Sequence, residues 1–158
     1  MSLETPISPV PASIAHDINV LSDVTRTLID SHKGYATCVE AVDDSYALAK
    51  SFGERADARA ALIAEFKAEI AALGGDAPNE GSIAGAAHRV WTSFTTLFSD
   101  DEKAAIEAVD DGEEYLAEKI ERALDSDVLA ARTRDLLVRA HASAREGERF
   151  ADALDKAL

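Results

Sequence analysis

Apolar residues recur every three or four positions through the first part of the chain. This spacing is typical of one face of an α-helix and, when sustained over several turns, of a helix that packs in a bundle. It predicts a first helix from about residue 14 to residue 42. The residues on its predicted inward face are Ile14, Ile18, Leu21, Thr25, Leu28, His32, Tyr35, Val39 and Val42.

The same spacing predicts further helices at residues 45–73, 83–98, 100–125 and 127–157. No strand is predicted, because no stretch alternates apolar and polar residues with β-branched enrichment. Tight turns join the first two long helices and the last two, so each pair should form an antiparallel hairpin. The connection between the hairpins contains the short helix. The sequence therefore predicts an all-α, antiparallel four-helix bundle with one long crossover containing a short extra helix, which is the topology of ferritin-like folds.

Prolines and capping residues mark where these elements begin. Three of the four prolines fall within residues 6–11. Residues 1–13 are therefore predicted to be a flexible tail, and residues 14–158 a single bundle domain. Side chains that accept hydrogen bonds from helix N–H groups favour helix starts. The predicted N-caps are Asp43 or Asp44, Ser82, Ser99, and Ser126 or Asp127.

The chain is acidic, with 30 Asp and Glu residues against 16 Lys and Arg residues and a formal net charge of −14. Such a surface repels nucleic acid and anionic lipid. The apolar stretches are too short to span a bilayer, and the N-terminus lacks the pattern of a signal peptide. A single cysteine excludes an intrachain disulfide. We therefore predict no nucleic-acid partner, no membrane association and a cytoplasmic location.

Polar residues interrupt or flank the predicted inward faces of the long helices. Buried charge is unfavourable unless it is paired and hydrogen-bonded, and arginine pairs with a carboxylate through two parallel bonds. These residues should lie near the middle of the bundle. We predict that they form a structural polar layer made of His32, Arg55, Arg59, Glu113 and Glu148.

A metal centre is the alternative explanation for such residues. Di-iron carboxylate bundles use a Glu-x-x-His motif on two helices, whereas here the residues three before the four histidines are serine, isoleucine, glycine and valine. The missing motif and the core arginines favour a bundle with no cofactor. The second hypothesis is an irregular site for iron, manganese or zinc, with nitrogen and oxygen ligands from His32, Glu113, His141 and Glu148.

Short motifs along the chain resemble a bacterial family of ferritin-like four-helix proteins that is classed as a domain of unknown function. They are Gly34-Tyr35, Leu73-Gly74-Gly75, Gly81-Ser82, His88-Arg89-x-Trp91 and Gly112-Glu113. The resemblance covers about residues 16–155 and implies the bundle fold, but not iron oxidation. The chain departs from the family pattern at His32, where an acidic residue is common, and at Glu148, where a histidine is common.

The crossover motif also contains a candidate patch for a partner, formed by His88, Arg89 and Trp91. The tryptophan can pack over the bundle with its two neighbours paired nearby. Alternatively, the three residues face another protein. The second alternative predicts a homodimer or a protein partner bound through the crossover helix.

Three functions are compatible with the sequence. The first is a non-catalytic bundle, in a role that could include the stress response, that works by binding or self-association. The second is a non-standard metal-binding protein. The third is a carrier of a small ligand in a pocket left by Ala140, Ala144 and Gly147. No phosphate-binding glycine loop, nucleophile elbow or catalytic triad spacing is present, so the sequence favours a protein that is not an enzyme.

Overall fold

The computed structural model describes residues 11–42, 45–82 and 102–157. These residues form four α-helices and no strand. The helices are α1 (Ala12–Ala41), α2 (Tyr46–Ala72), α3 (Glu102–Leu124) and α4 (Ala131–Ala157). The predicted all-α, four-helix fold is thereby confirmed. The predicted crossover helix, with His88, Arg89 and Trp91, lies outside the described residues, as do the predicted cap Ser99 and most of the predicted tail.

Local capping differs from the prediction at two helix starts. Ser45 is the N-cap of α2, and its side chain accepts a hydrogen bond from the Leu48 N–H. Helix α4 begins at Ala131, four residues later than predicted. A residue of another helix caps it, because the Asp17 carboxylate of α1 accepts hydrogen bonds from Ala130 N at 3.1 Å and Thr133 Oγ1 at 2.8 Å. A cap supplied across the bundle leaves no local sequence signal.

Helix α2 ends in a left-handed glycine. Gly74 has φ of +89°, a conformation that a residue without Cβ adopts readily. The next amide, Gly75 N, then bonds back to Ile70 O at 2.9 Å. A Cβ on Gly75 would lie 2.8 Å from Ile18 Cγ2, so the chain passes closely beneath the start of α1.

Side-chain pairs between helices give the direction of each helix. Asp23 of α1 pairs with Lys119, and Ser31 with Glu113, so α1 and α3 are antiparallel. Helices α1 and α2 form an antiparallel hairpin, as do α3 and α4, and α4 also contacts α2. Helices α2 and α3 are therefore parallel to each other. They lie diagonally opposite, with no close approach between their described backbones.

Because α2 and α3 are parallel, the end of α2 and the start of α3 lie at opposite ends of the bundle. The described part of the connection that follows α2 runs along α1 and α2. Lys67 Nζ donates to Asn79 Oδ1 at 2.7 Å, and Ser82 N donates to the Asp30 carboxylate at 3.0 Å. Asp30 lies near the middle of α1 and is 6% exposed. A Cβ on Gly81 would overlap this carboxylate, so Gly81 allows the connection to pass close to α1.

The hydrophobic core consists of two separate clusters. One is built around Leu21, Leu28, Phe66, Ile120 and Leu136, towards the start of α1. The other is built around Tyr35, Cys38, Phe52, Val109 and Ala151, towards the end of α1. Buried polar residues separate the two clusters.

Candidate functional site

The centre of the bundle contains a salt bridge between Arg59 of α2 and Glu113 of α3. Arg59 NH1 donates to Glu113 Oε1 at 2.9 Å, and Arg59 NH2 donates to Oε2 at 2.8 Å. Both side chains are 0% exposed. This fork-to-fork geometry is the strongest arrangement available to a guanidinium and a carboxylate. The long arginine side chain links two helices whose backbones do not meet.

Two serines contribute to the same layer from the other two helices. Ser31 Oγ of α1 accepts a hydrogen bond from Arg59 NH1 at 2.6 Å and lies 3.4 Å from Glu113 Oε1, to which it donates. Ser143 Oγ of α4 lies 3.4 Å from Arg59 NH2 and accepts from it. Every helix therefore provides a polar group. We call Ser31, Arg55, Arg59, Glu113 and Ser143 the central layer.

Arg55 is the second cation of the central layer. Its NH2 group donates to the Ser143 carbonyl at 2.9 Å and lies 3.8 Å from Glu113 Oε2. Its NH1 group lies 3.8 Å from the exposed Glu146. The Cζ atoms of Arg55 and Arg59 each lie 5.7 Å from the centre of the Tyr35 ring. The aromatic face thus covers both guanidinium groups on the side of the second apolar cluster.

Gly147 of α4 makes room for the carboxylate. A Cβ at this position would lie 1.9 Å from Glu113 Oε2 and 2.4 Å from Glu113 Cδ. Any side chain at position 147 would therefore displace Glu113. The sequence predicts that Gly147, Ala140 and Ala144 line an open pocket. The structure instead places the Glu113 carboxylate against Gly147, and the two alanines are 0% exposed within the first apolar cluster.

The pKa is raised both for Arg59 in the central layer and for the neighbouring Tyr35. Burial alone would lower the pKa of Arg59, but the Glu113 carboxylate outweighs it, and the pKa is raised. Burial, together with the charge of Glu113, raises the pKa of Tyr35. Arg59 stays charged and Tyr35 stays neutral across the physiological range. The layer is thus arranged to hold helices together by fixed charge, and neither Arg59 nor Tyr35 is suited to exchange a proton at neutral pH.

The comparison with protein families matches residues 16–126 to the family described as Domain of unknown function (DUF2383). The chain belongs to this family. The DUF2383 match includes α1 from residue 16 onward and all of α2 and α3, and with them Ser31, Arg59 and Glu113. It ends before α4, which supplies Ser143 and Gly147. No curated protein and no solved structure matches the chain.

The four residues predicted as metal ligands lie in different places within this DUF2383 chain. Glu113 is in the central layer. His141 Nε2 lies 2.8 Å from Glu121 Oε1, and Glu148 is bound by Arg145 at 2.8 and 2.9 Å. Arg145 also donates to Glu121 at 2.6 Å, so these charges form a network on the outside of α3 and α4. The hydrogen bond from His141 and then that from Arg145 lower the pKa of Glu121.

The predicted composition of the polar layer is therefore corrected. Arg55, Arg59 and Glu113 lie together, whereas Glu148 belongs to the outer network. His32 is half-buried, and its neighbour Ser31 is the α1 side chain that bonds to Arg59 and Glu113. Within residues 11–42, 45–82 and 102–157, no group of three or more His, Cys, Asp or Glu side chains is arranged to hold a metal ion.

Ser31 takes the position that the sequence analysis assigned to His32. The predicted stripe steps from Leu28 to His32, while the actual one steps from Leu28 to Ser31 and then to Tyr35. Both steps fit a helix of 3.6 residues per turn. The sequence does contain a signal for the correct inward face of α1, because the alternative stripe carries fewer large polar residues. That stripe consists of Leu21, Val24, Leu28, Ser31, Tyr35, Cys38 and Val42. All seven are buried, at 4% exposure or less.

None of the described helices has the length and apolar character needed to cross a membrane.

Proposed function

We propose that this protein is a non-catalytic helical bundle that acts through binding or self-association. The observation that supports the proposal is the fully buried, bidentate pair between Arg59 and Glu113. The pair lies in the interior of the bundle, and the interior is where di-iron carboxylate bundles place their metal ligands. Both oxygens of Glu113 already accept hydrogen bonds from a guanidinium.

The charge of Arg59 opposes a cation at the same place. Two like unit charges 4 Å apart repel by about 4 kcal/mol at an effective dielectric constant of about 20, and a dication doubles this repulsion. Arg55 adds a second positive charge 3.8 Å from the same carboxylate. A metal ion at Glu113 would have to displace Arg59 and leave a buried guanidinium without its partner.

The helix directions support a relation to ferritin-like proteins. Parallel α2 and α3 joined by a connection along the bundle is the arrangement of a four-helix bundle with one long crossover. We infer that the central layer stands where an ancestral bundle held metal, and that a salt bridge has replaced the metal. A stress-related role and a cytoplasmic location stay predictions.

The test combines metal content with oligomeric state. The wild-type protein is incubated anaerobically with Fe(II), and separately with Mn(II) and Zn(II), then desalted and measured by elemental analysis. We expect no stoichiometric metal, and an assembly larger than the 16.8 kDa monomer or a captured partner by light scattering and affinity isolation. Stoichiometric metal that is lost in Glu113→Ala would overturn the proposal in favour of a metalloprotein.

Arg59→Met serves as the internal control. This variant frees the Glu113 carboxylate while keeping a side chain of similar length. If Arg59 is what excludes the cation, the variant should retain more Zn(II) than the wild type. Equal and negligible retention in both would show that the salt bridge does not decide metal binding.

A further inference from the structure

A cleft between α1 and α3 lies outside the central layer. It has a volume of about 300 Å³ and is lined by Val20, Asp23, Val24, Lys119, Arg122 and Ala123. This volume is at the small end of the range for ligand pockets, which is roughly 300–1,000 Å³. Val20 and Ala123, which are half-buried, provide the accessible apolar floor, with the buried Val24 beneath it, and the charged residues stand around it.

The charges around the cleft favour an anion. The Lys119 side chain is only 14% exposed, and its Nζ lies 3.1 Å from Asp23 Oδ1. Lys119 Nζ also lies 5.7 Å from the centre of the Tyr115 ring, within the range of a cation–π contact. Arg122 is exposed, and its side chain forms no hydrogen bond or ion pair with any residue in the described part of the chain. Two cations thus face one carboxylate, in a chain whose net charge is −14.

Two structural roles account for part of this arrangement. The bond between Asp23 and Lys119 ties α1 to α3, and a cation in the last turn, such as Arg122, interacts favourably with the helix dipole. Neither role needs an apolar floor between the cations. A loss of stability on replacing them would fit either reading, so only a binding measurement distinguishes a site from a pair of structural charges.

We propose that this cleft binds a small carboxylate that carries a short hydrocarbon tail. The carboxylate group lies between Lys119 and Arg122, and the tail covers Val20 and Ala123. The proposal uses no residue of the central layer and does not depend on the proposed function.

The probe is hexanoate, titrated into the full-length, ¹⁵N-labelled protein and followed by the backbone amide shifts of α1 and α3. Acetate has the charge without the tail, and hexanol has the tail without the charge. With hexanoate we expect saturable shifts centred on residues 20–24 and 119–123. Hexanol should bind more weakly by about tenfold or more, because it loses one charged hydrogen bond. Acetate should also bind more weakly.

Three variants decide the question. Lys119→Gln/Arg122→Gln should weaken hexanoate binding by about tenfold or more. Lys50→Gln/Lys67→Gln removes the same net charge elsewhere on the surface and should leave binding unchanged. Asp23→Asn removes the competing carboxylate and should strengthen binding. Shifts that never saturate, equal loss in both double variants, or weaker binding in Asp23→Asn would each overturn the proposal.

Discussion

Replacing Glu113 by glutamine tests whether the central layer is a true buried ion pair. The substitution keeps the shape of the side chain and removes its charge. Arg59, which is 0% exposed, then lacks a counter-ion. One of the two Arg59 nitrogens that donate to Glu113 then faces an amide NH₂ instead of an oxygen. Breaking a buried pair by removing one partner costs about 3–5 kcal/mol. Native domains are stable by only about 5–15 kcal/mol, so the loss should be large.

The chain offers a matched control on its surface. Arg139 NH1 donates to both Glu65 oxygens, at 3.0 and 2.9 Å, but both side chains are 41% exposed. Solvent-exposed pairs of this kind contribute about 0–1 kcal/mol. Glu65→Gln should therefore change the free energy of unfolding by less than about 1 kcal/mol.

The assay is urea unfolding followed by far-ultraviolet circular dichroism. The midpoint and slope together give the free energy of unfolding for wild type, Glu113→Gln and Glu65→Gln. A double variant, Arg59→Met/Glu113→Leu, adds a second check. Replacing a whole buried pair by apolar residues is often neutral or stabilising by about 1–4 kcal/mol. The reasoning is refuted if Glu113→Gln loses no more stability than Glu65→Gln.

Three further predictions concern Gly147, Asp17 and Cys38. Gly147→Ala should destabilise the protein by about 3 kcal/mol or more in urea unfolding, because the added Cβ displaces Glu113. Gly53→Ala is the control. Its Cβ meets only ordinary contacts, so stability should rise by about 0.5–1 kcal/mol. Equal effects at the two glycines would contradict this account. Asp17→Ala should cost about 1–3 kcal/mol and speed amide exchange at the start of α4, and unchanged exchange would show that Asp17 does not cap α4. Cys38 is 0% exposed, and burial raises its pKa. A thiol reagent at pH 8 should therefore label Cys38 only after unfolding. Rapid labelling of the native protein would be inconsistent with this burial.

Much of the fold could be predicted from the pattern of apolar residues. The spacing identified four long helices to within four residues at each end, since a helix that buries one face must repeat its apolar residues every three or four positions. The same reasoning placed Arg55, Arg59 and Glu113 inside the bundle. Buried charge needs a partner, and the nearest available pairing was arginine with glutamate.

The identity of the remaining layer residues depended on tertiary packing. Steps of three and four residues are equally helical, so periodicity could not decide between Ser31 and His32. The rotation of α1 against α2 and α3 decided it. The polar partners of Glu148 and His141 were likewise settled by which faces of α3 and α4 meet. Asp17 caps α4 from more than a hundred residues away in sequence. The sequence predicted an empty pocket at Gly147 because the residue that fills this space, Glu113, comes from another helix. Local sequence records which residues prefer to be buried, whereas the contacts between helices decide which of them meet.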